Sequence, residues 1–232
     1  MSMTPFRSNL SRSLGAAFLL QALASLVSGG FLFNPLIVEE DIRKTMLNLA
    51  SHAPLVHASI IGDIVTAAGI IFLGAILFAV VGSQNKGMAL TALGLYIFEA
   101  GILVASKCVV FGLLKISQDY AATGDKAIER LARLALEAEH FMYTLHMLPF
   151  GLGAILFYFL LNKSNLIPKW LSLWGLIAVP FVLVGAVWTI SDAHVPPAIL
   201  VLALPYVPFE FFAGLFILVR GFHMPIRKDL IQ

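Results

Sequence analysis

Charged side chains are scarce in this chain. Lys, Arg, Asp and Glu make up 12% of its 232 residues, against 59% hydrophobic ones, and a soluble domain carries about twice that share of charge. Cysteine is nearly absent too. The single Cys108 excludes a disulfide framework and leaves the compartment unreadable from thiols. Net charge is only +2, and no basic patch is interleaved with aromatics, which argues against a nucleic-acid partner. Also missing are the His-Glu-x-x-His and Cys-x-x-Cys motifs of metal sites and the Gly-x-Ser-x-Gly setting of a serine nucleophile. Gly151-Leu152-Gly153-Ala154 reads as helix packing rather than a phosphate loop. No cofactor is implied, and the sequence leaves open whether the chain is an enzyme.

What the chain does have is six long apolar runs, near residues 12–33, 55–81, 88–114, 140–161, 170–190 and 197–219. Each reaches the roughly 20 residues that cross a bilayer as a helix. Backbone polar groups in hydrocarbon must be satisfied within their own segment, so the spans are helices. An outer-membrane barrel would instead show alternating segments of about 10 residues. The fold class is therefore all-α: an integral membrane bundle of six transmembrane helices, read as a single transmembrane domain over 1–232. Membrane lipid is its first partner.

Orientation follows from Lys and Arg near span ends. With six spans the termini share a side, which carries Arg7, Arg12, Lys86, Lys163, Lys169, Arg220, Arg227 and Lys228. Opposite them are Arg43, Lys44, Lys115, Lys126, Arg130 and Arg133, together with nearly all the acids outside the membrane. This bias predicts cytoplasmic termini in a bacterial inner membrane. Arg7 and Arg12 precede an apolar run that continues through Phe33. That is longer than a signal core, so an uncleaved first helix is the reading.

Two polar connections on the outer side read as amphipathic helices. In 38–50, Val38, Ile42, Met46 and Leu49 recur at helical spacing; in 125–139 the stripe is Ile128, Leu131, Leu134 and Ala138. Trp170 and Trp188 stand about 27 Å apart along the fifth span, at 1.5 Å per residue, and mark its two interfaces. Pro180 is predicted to kink that span, and Pro205 and Pro208 the sixth.

The segment Ser164-Asn165-Leu166-Ile167-Pro168-Lys169-Trp170-Leu171-Ser172-Leu173-Trp174-Gly175 resembles a bacterial multipass family, the domain of unknown function 4386. The likeness extends to Glu99-Ala100 in the third span and to Pro205, Glu210 and Gly221-Phe222 near the end of the chain. Six spans over about 230 residues also fit. In that family an Arg often stands three residues before the third-span acid, where this chain has Tyr96. A role needing an intrahelical Arg–Glu pair is therefore not implied. The resemblance implies a fold and a membrane, and no reaction.

Chemistry is best placed at the ionisable residues of membrane depth: Asp63, Glu99, Lys107 and Glu210. A charge at the bilayer centre costs at least about 2.5–3.5 kcal/mol, so each must face inward and find a partner or stay neutral. Helical spacing gives each a polar stripe: Ser59, Asp63 and Thr66 on the second span, Tyr96, Glu99 and Ser106 on the third, Tyr206 and Glu210 on the sixth, and Gln21, Ser25 and Ser28 on the first. Lys107 is too far along its helix from Glu99 for a direct bond, and Asp63, at a similar depth, is its predicted partner. A small-molecule ligand-binding site is thus predicted from Glu99, Glu210, Tyr96, Tyr206, Asp63 and Lys107, with Glu99 and Glu210 in one cavity. The plainer alternative is interhelical glue, the tyrosines and serines merely satisfying the acids.

Histidines cluster at the outer span ends, and His57, His140, His146 and His194 are the candidates for a metal or b-type haem in a membrane enzyme. His140 and His146, however, lie about 240° apart around a helix and cannot face one ligand without distortion. Local hydrogen bonding is the reading favoured for them, and no metal site is predicted. The leading functional expectation is a non-enzymatic transporter-like or receptor-like protein. An accessory subunit of a larger complex would need no site at all.

Overall fold

The computed structural model describes residues 5–191 and 196–222. Its helices are α1 (Pro5–Ser25), continued by a π-helical stretch over Leu26–Phe33 and a 3₁₀ turn over Asn34–Leu36, α2 (Ile42–Ser51), α3 (Ala53–Val81), α4 (Lys86–Thr123), α5 (Ile128–Ser164), α6 (Lys169–Ile190), α7 (Pro197–Ala203) and α8 (Tyr206–Arg220). Among the described residues six helical segments are long and apolar enough to cross a membrane: Asn9–Leu36, Ala53–Val81, Lys86–Thr123, Ile128–Ser164, Lys169–Ile190 and Pro197–Arg220. They correspond one to one with the six runs of the sequence.

Local chemistry sets the helix ends. Asp41 accepts from the amides of Arg43 and Lys44, both at 3.1 Å, and starts α2. Asn85 accepts from Met88 N at 3.0 Å and starts α4. These caps satisfy amides that have no carbonyl in the first turn. Gly124 ends α4 in the left-handed region, at φ 66°, which a residue without Cβ enters freely.

Two expectations about the polar connections change. Residues 128–139 are continuous with the fourth span, as the first turns of α5. The predicted stripe there is also rotated: Leu131 and Leu134 are each 55% exposed, whereas Ala132 and Leu136 are buried. The small Ala132 takes an inward position there, where α2 and the end of α4 pack against the helix. Ile42, Met46 and Leu49 of α2 meet Val110, Leu113 and Leu114 of α4 and Ala132 and Leu136 of α5 in one apolar cluster. Leu131 and Leu134 are left on the outer surface.

The sixth span is broken rather than kinked. α7 stops at Ala203 and α8 starts at Tyr206, with Leu204 and Pro205 in the turn between. Proline cannot donate to the helix and its ring clashes with the preceding turn. Trp174 of α6 donates its indole N–H to the Pro205 carbonyl at 3.2 Å, which also accepts from Phe209 N at 3.3 Å, and this ties α6 to the start of α8. Pro180, in contrast, stays inside continuous α6.

Small residues let the helices approach. A Cβ added at Gly15 of α1 would lie 2.7 Å from the Gly214 carbonyl oxygen of α8, and one at Gly153 of α5 would lie 2.8 Å from the Tyr96 ring of α4. Such close backbone contacts replace hydrophobic driving force where lipid is the solvent. The α1–α8 contact brings both ends of the described chain to one face of the bundle; the opposite face is called distal below.

A large apolar cluster fills the end near the termini, with Phe18, Leu77, Phe157, Tyr158, Leu171 and Phe209 among its buried members. The smaller cluster around α2 fills the distal end. Asp63, Lys107, Glu139 and Ser28, each on a different span, lie where the two clusters part. Large apolar side chains such as Phe31, Ile61, Phe72, Phe98, Ile177 and Val219 point outward, a surface suited to lipid rather than water.

Candidate functional site

The polar interior has two parts. In the distal part, Lys107 Nζ of α4 lies 2.8 Å from Asp63 Oδ2 of α3 and 3.7 Å from Glu139 Oε1 of α5. All three side chains are buried. Ser28, in the π-helical stretch, bonds the other oxygen of Asp63, and its hydroxyl is 3.2 Å from the Ser25 carbonyl. Gly62 makes this possible, because a Cβ there would come within 2.8 Å of Ser28 Cβ. π-Helical turns recur where a helix must re-aim side chains at a site. A cavity of about 440 Å³ opens beside this cluster, bordered by Asn34, Glu39, His140 and Tyr143 as well as the three charged residues.

Nearer the middle of the bundle is a second cavity, of about 340 Å³, faced by both Glu99 of α4 and Glu210 of α8. Glu210 Oε1 accepts from the Tyr206 hydroxyl at 2.7 Å and from Gln21 Nε2 of α1 at 3.1 Å. Tyr206 in turn lies 3.3 Å, hydroxyl to hydroxyl, from Tyr158 of α5. Glu99 differs: it is 4% exposed, and its Oε2 is buried without a hydrogen-bond partner among the described residues. Among the described residues no Lys or Arg borders this cavity, and most of its wall is apolar, including Ile70, Leu103, Met147, Phe150, Val182 and Val207. Tyr143 borders both cavities.

The six residues singled out in the sequence are therefore divided. Glu99, Glu210 and Tyr206 share the middle cavity; Asp63 and Lys107 pair as their common depth suggested, but in the distal cluster. Tyr96 belongs to neither. Its ring packs edge-on against Phe157, centroids 5.2 Å apart, and fills the space left by Gly74 and Gly153. The shared stripe put Tyr96 one turn from Glu99, yet the glycines of α3 and α5 draw the ring into the core instead. On the first span, Gln21 and Ser25 reach the middle cavity while Ser28 serves Asp63.

The fourth span, considered in the sequence only for its histidines, contributes to both parts of the interior. Glu139 enters the charged cluster from α5, and Tyr143, His146, Met147 and Phe150 of the same helix line the middle cavity. The signal was present in the chain: residues 139, 143, 146, 147 and 150 recur at helical spacing and form one face.

The histidines do not gather. His57 is exposed in the first turn of α3, and His52 Nδ1 is held locally by the Asn48 carbonyl at 3.0 Å. His140 Nε2 lies 3.8 Å from Glu39 Oε1 and 3.9 Å from Glu139 Oε2. His146 points instead to the middle cavity. Asp192, His194 and His223 lie outside the described residues. Among the described residues no group of three His, Cys, Asp or Glu side chains is placed to hold a metal ion.

Six apolar helices around a buried polar interior define a multipass helical membrane protein. More narrowly, residues 13–221 match the family model for the domain of unknown function DUF4386, and the chain belongs to that family. No curated protein and no solved structure matches it.

Proposed function

We propose that this protein is a non-enzymatic carrier or receptor that binds a small organic cation between Glu99 and Glu210, with a proton as the alternative occupant. One observation carries the reading: two carboxyl groups from different spans face a single apolar-walled cavity, and Glu99 Oε2 has no partner within the described chain. Glue alone would leave both acids satisfied. Buried polar groups in native structures are nearly always hydrogen-bonded, and an exception asks for an unseen partner. An ammonium group fits, because it brings donors and the charge that two acids in low dielectric lack. With no ligand present, a proton on one of the carboxyls removes its charge, so that an arriving cation displaces a proton.

Other features support a ligand site. About 340 Å³ lies within the usual range of small-molecule pockets. A discontinuous span beside the site, here α7–α8, is the arrangement in which many carriers place their substrate. We place the protein in a bacterial inner membrane with cytoplasmic termini, on the span-end Lys and Arg, with lipid around it and nucleic acid no part of its function.

Calorimetric titration of the protein in lipid nanodiscs with phenethylamine and with tyramine tests this. At least one is expected to bind, and Glu99→Gln and Glu210→Gln to weaken it by roughly tenfold or more, the scale of one charge-assisted hydrogen bond. If neither cation binds, or both variants bind as the parent does, the acids are glue and the reading fails.

A further inference from the structure

His146 takes no part in the hydrogen bonds of the acid pair, yet it borders the same cavity. It is only 8% exposed, and its Nδ1 is buried without a hydrogen-bond partner among the described residues. Tyr143, one turn earlier on α5, packs edge-on against the ring, centroids 4.8 Å apart and planes at 68°. Tyr143 thus packs its ring on the imidazole, and its backbone lies within electrostatic reach of the histidine without closing a hydrogen bond to Nδ1. Nine-tenths burial makes this costly, because an unsatisfied polar atom loses water without compensation.

Two side chains at this one cavity therefore carry a buried polar atom with no hydrogen-bond partner among the described residues: Glu99 and His146. They sit on different helices, α4 and α5, and they want different things. A carboxyl pair selects a cation. A neutral imidazole presents one N–H donor and one acceptor nitrogen, which suits a hydroxyl in either role. Ile70, Leu103, Met147 and Phe150 supply apolar wall around them, which suits a hydrocarbon body.

We propose that His146 is a ligand-binding residue that sets specificity, and that the ligand is a small hydroxylated amine. Its ammonium group goes to Glu99 and Glu210, its apolar body lies against the wall, and its hydroxyl hydrogen-bonds to His146. This inference rests on the acid-pair site proposed above and narrows its ligand class. Sites built to hydrogen-bond a hydroxyl reject the analogue that lacks one far more strongly than apolar pockets reject an extra group, because their own polar atom is then left unpaired.

Matched probes test it: tyramine and phenethylamine, which differ by one phenolic hydroxyl, titrated calorimetrically into the protein in nanodiscs. Tyramine is expected to bind roughly tenfold more tightly, the worth of one buried hydrogen bond. His146→Phe should abolish that preference, bringing the ratio of the two affinities to about one whatever their absolute values, and His146→Met provides the same ratio should the larger ring fail to fold. Glu99→Gln should weaken both probes alike. If both amines bind in a Glu99-dependent manner with equal affinity, or if the preference survives loss of His146, a bound water satisfies that ring and this inference fails while the acid-pair reading stands. If neither amine binds the parent protein, both fail.

Discussion

Lys107 Nζ and Asp63 Oδ2 lie 2.8 Å apart inside the bundle, with Glu139 approaching the same ammonium from a third helix. One cation thus serves two acids at a depth where water is scarce, and removal of the cation is the severe perturbation. Breaking a buried pair from one side typically costs about 3–5 kcal/mol, because it strands uncompensated charge. Lys107→Met is therefore expected to lower the detergent melting temperature sharply. Adding Asp63→Asn and Glu139→Gln should recover most of the loss. A triple variant no more stable than Lys107→Met alone would show that charge stranding is not the cause.

Glycines divide into those that hold helices together and those that do not. A Cβ at Gly15 meets the backbone of α8, whereas Gly94 and Gly101 of α4 have nothing within 4 Å. Gly15→Ala should destabilise by roughly 1–3 kcal/mol through overpacking. Gly94→Ala and Gly101→Ala should be neutral, or stabilising by up to about 1 kcal/mol through helix propensity. Thermal unfolding of the three variants checks the contrast, and equal effects would refute the packing assignment.

At the distal surface Arg43 Nε lies 2.7 Å from Glu129 Oε1, joining α2 to α5. The hydrogen bond from Arg43 to Glu129, and then the charge of that carboxylate, raise the Arg43 pKa above its ordinary value. The sign is that of a cation gaining a partner: its contribution is complete below the unfolded value and is lost only as pH rises through the folded one. Both lie above the working range of proteins, so salt rather than pH is the lever. Arg43→Ala should lower the melting temperature slightly in low salt and not at all in high salt. A loss that persists in high salt would contradict a screened surface pair.

Sidedness has a direct readout. Cysteines placed singly at Gly124 or Asn85, with Cys108→Ala as background, sit at opposite ends of α4. With cytoplasmic termini, an impermeant maleimide added to intact cells should label position 124 and not position 85. The reverse pattern would invert the proposed orientation.

The number of the spans was readable from composition and run length alone, since a bilayer imposes a fixed apolar length on whatever crosses it, whereas the helices that carry them run further, α5 from Ile128 to Ser164. The acids and the lysine at membrane depth were readable for the same reason: charge in an apolar run is too costly to be incidental. The Asp63–Lys107 pair followed from comparing depths along two helices. Periodicity also placed Tyr206 one turn from Glu210, and their hydrogen bond is local to α8. All of these depend on position along a single helix or on the bilayer itself.

Which helix turns which face to which neighbour depends on packing. The same spacing that links Tyr206 to Glu210 put Tyr96 beside Glu99, yet glycines on two other helices opened the core to the Tyr96 ring and left Glu99 Oε2 alone. The face of α5, with Ala132 turned inward and Leu131 outward, was set by how α2 and α4 pack against it. That packing turned Glu139 onto Lys107 and, further along the same face, His146 toward the acids. A one-residue shift in a helical stripe turns it by about 100°, and nothing within one helix fixes that angle. Only contact with the others decides it, and in this protein that contact separates a distal ion cluster from a middle cavity with two unpaired groups.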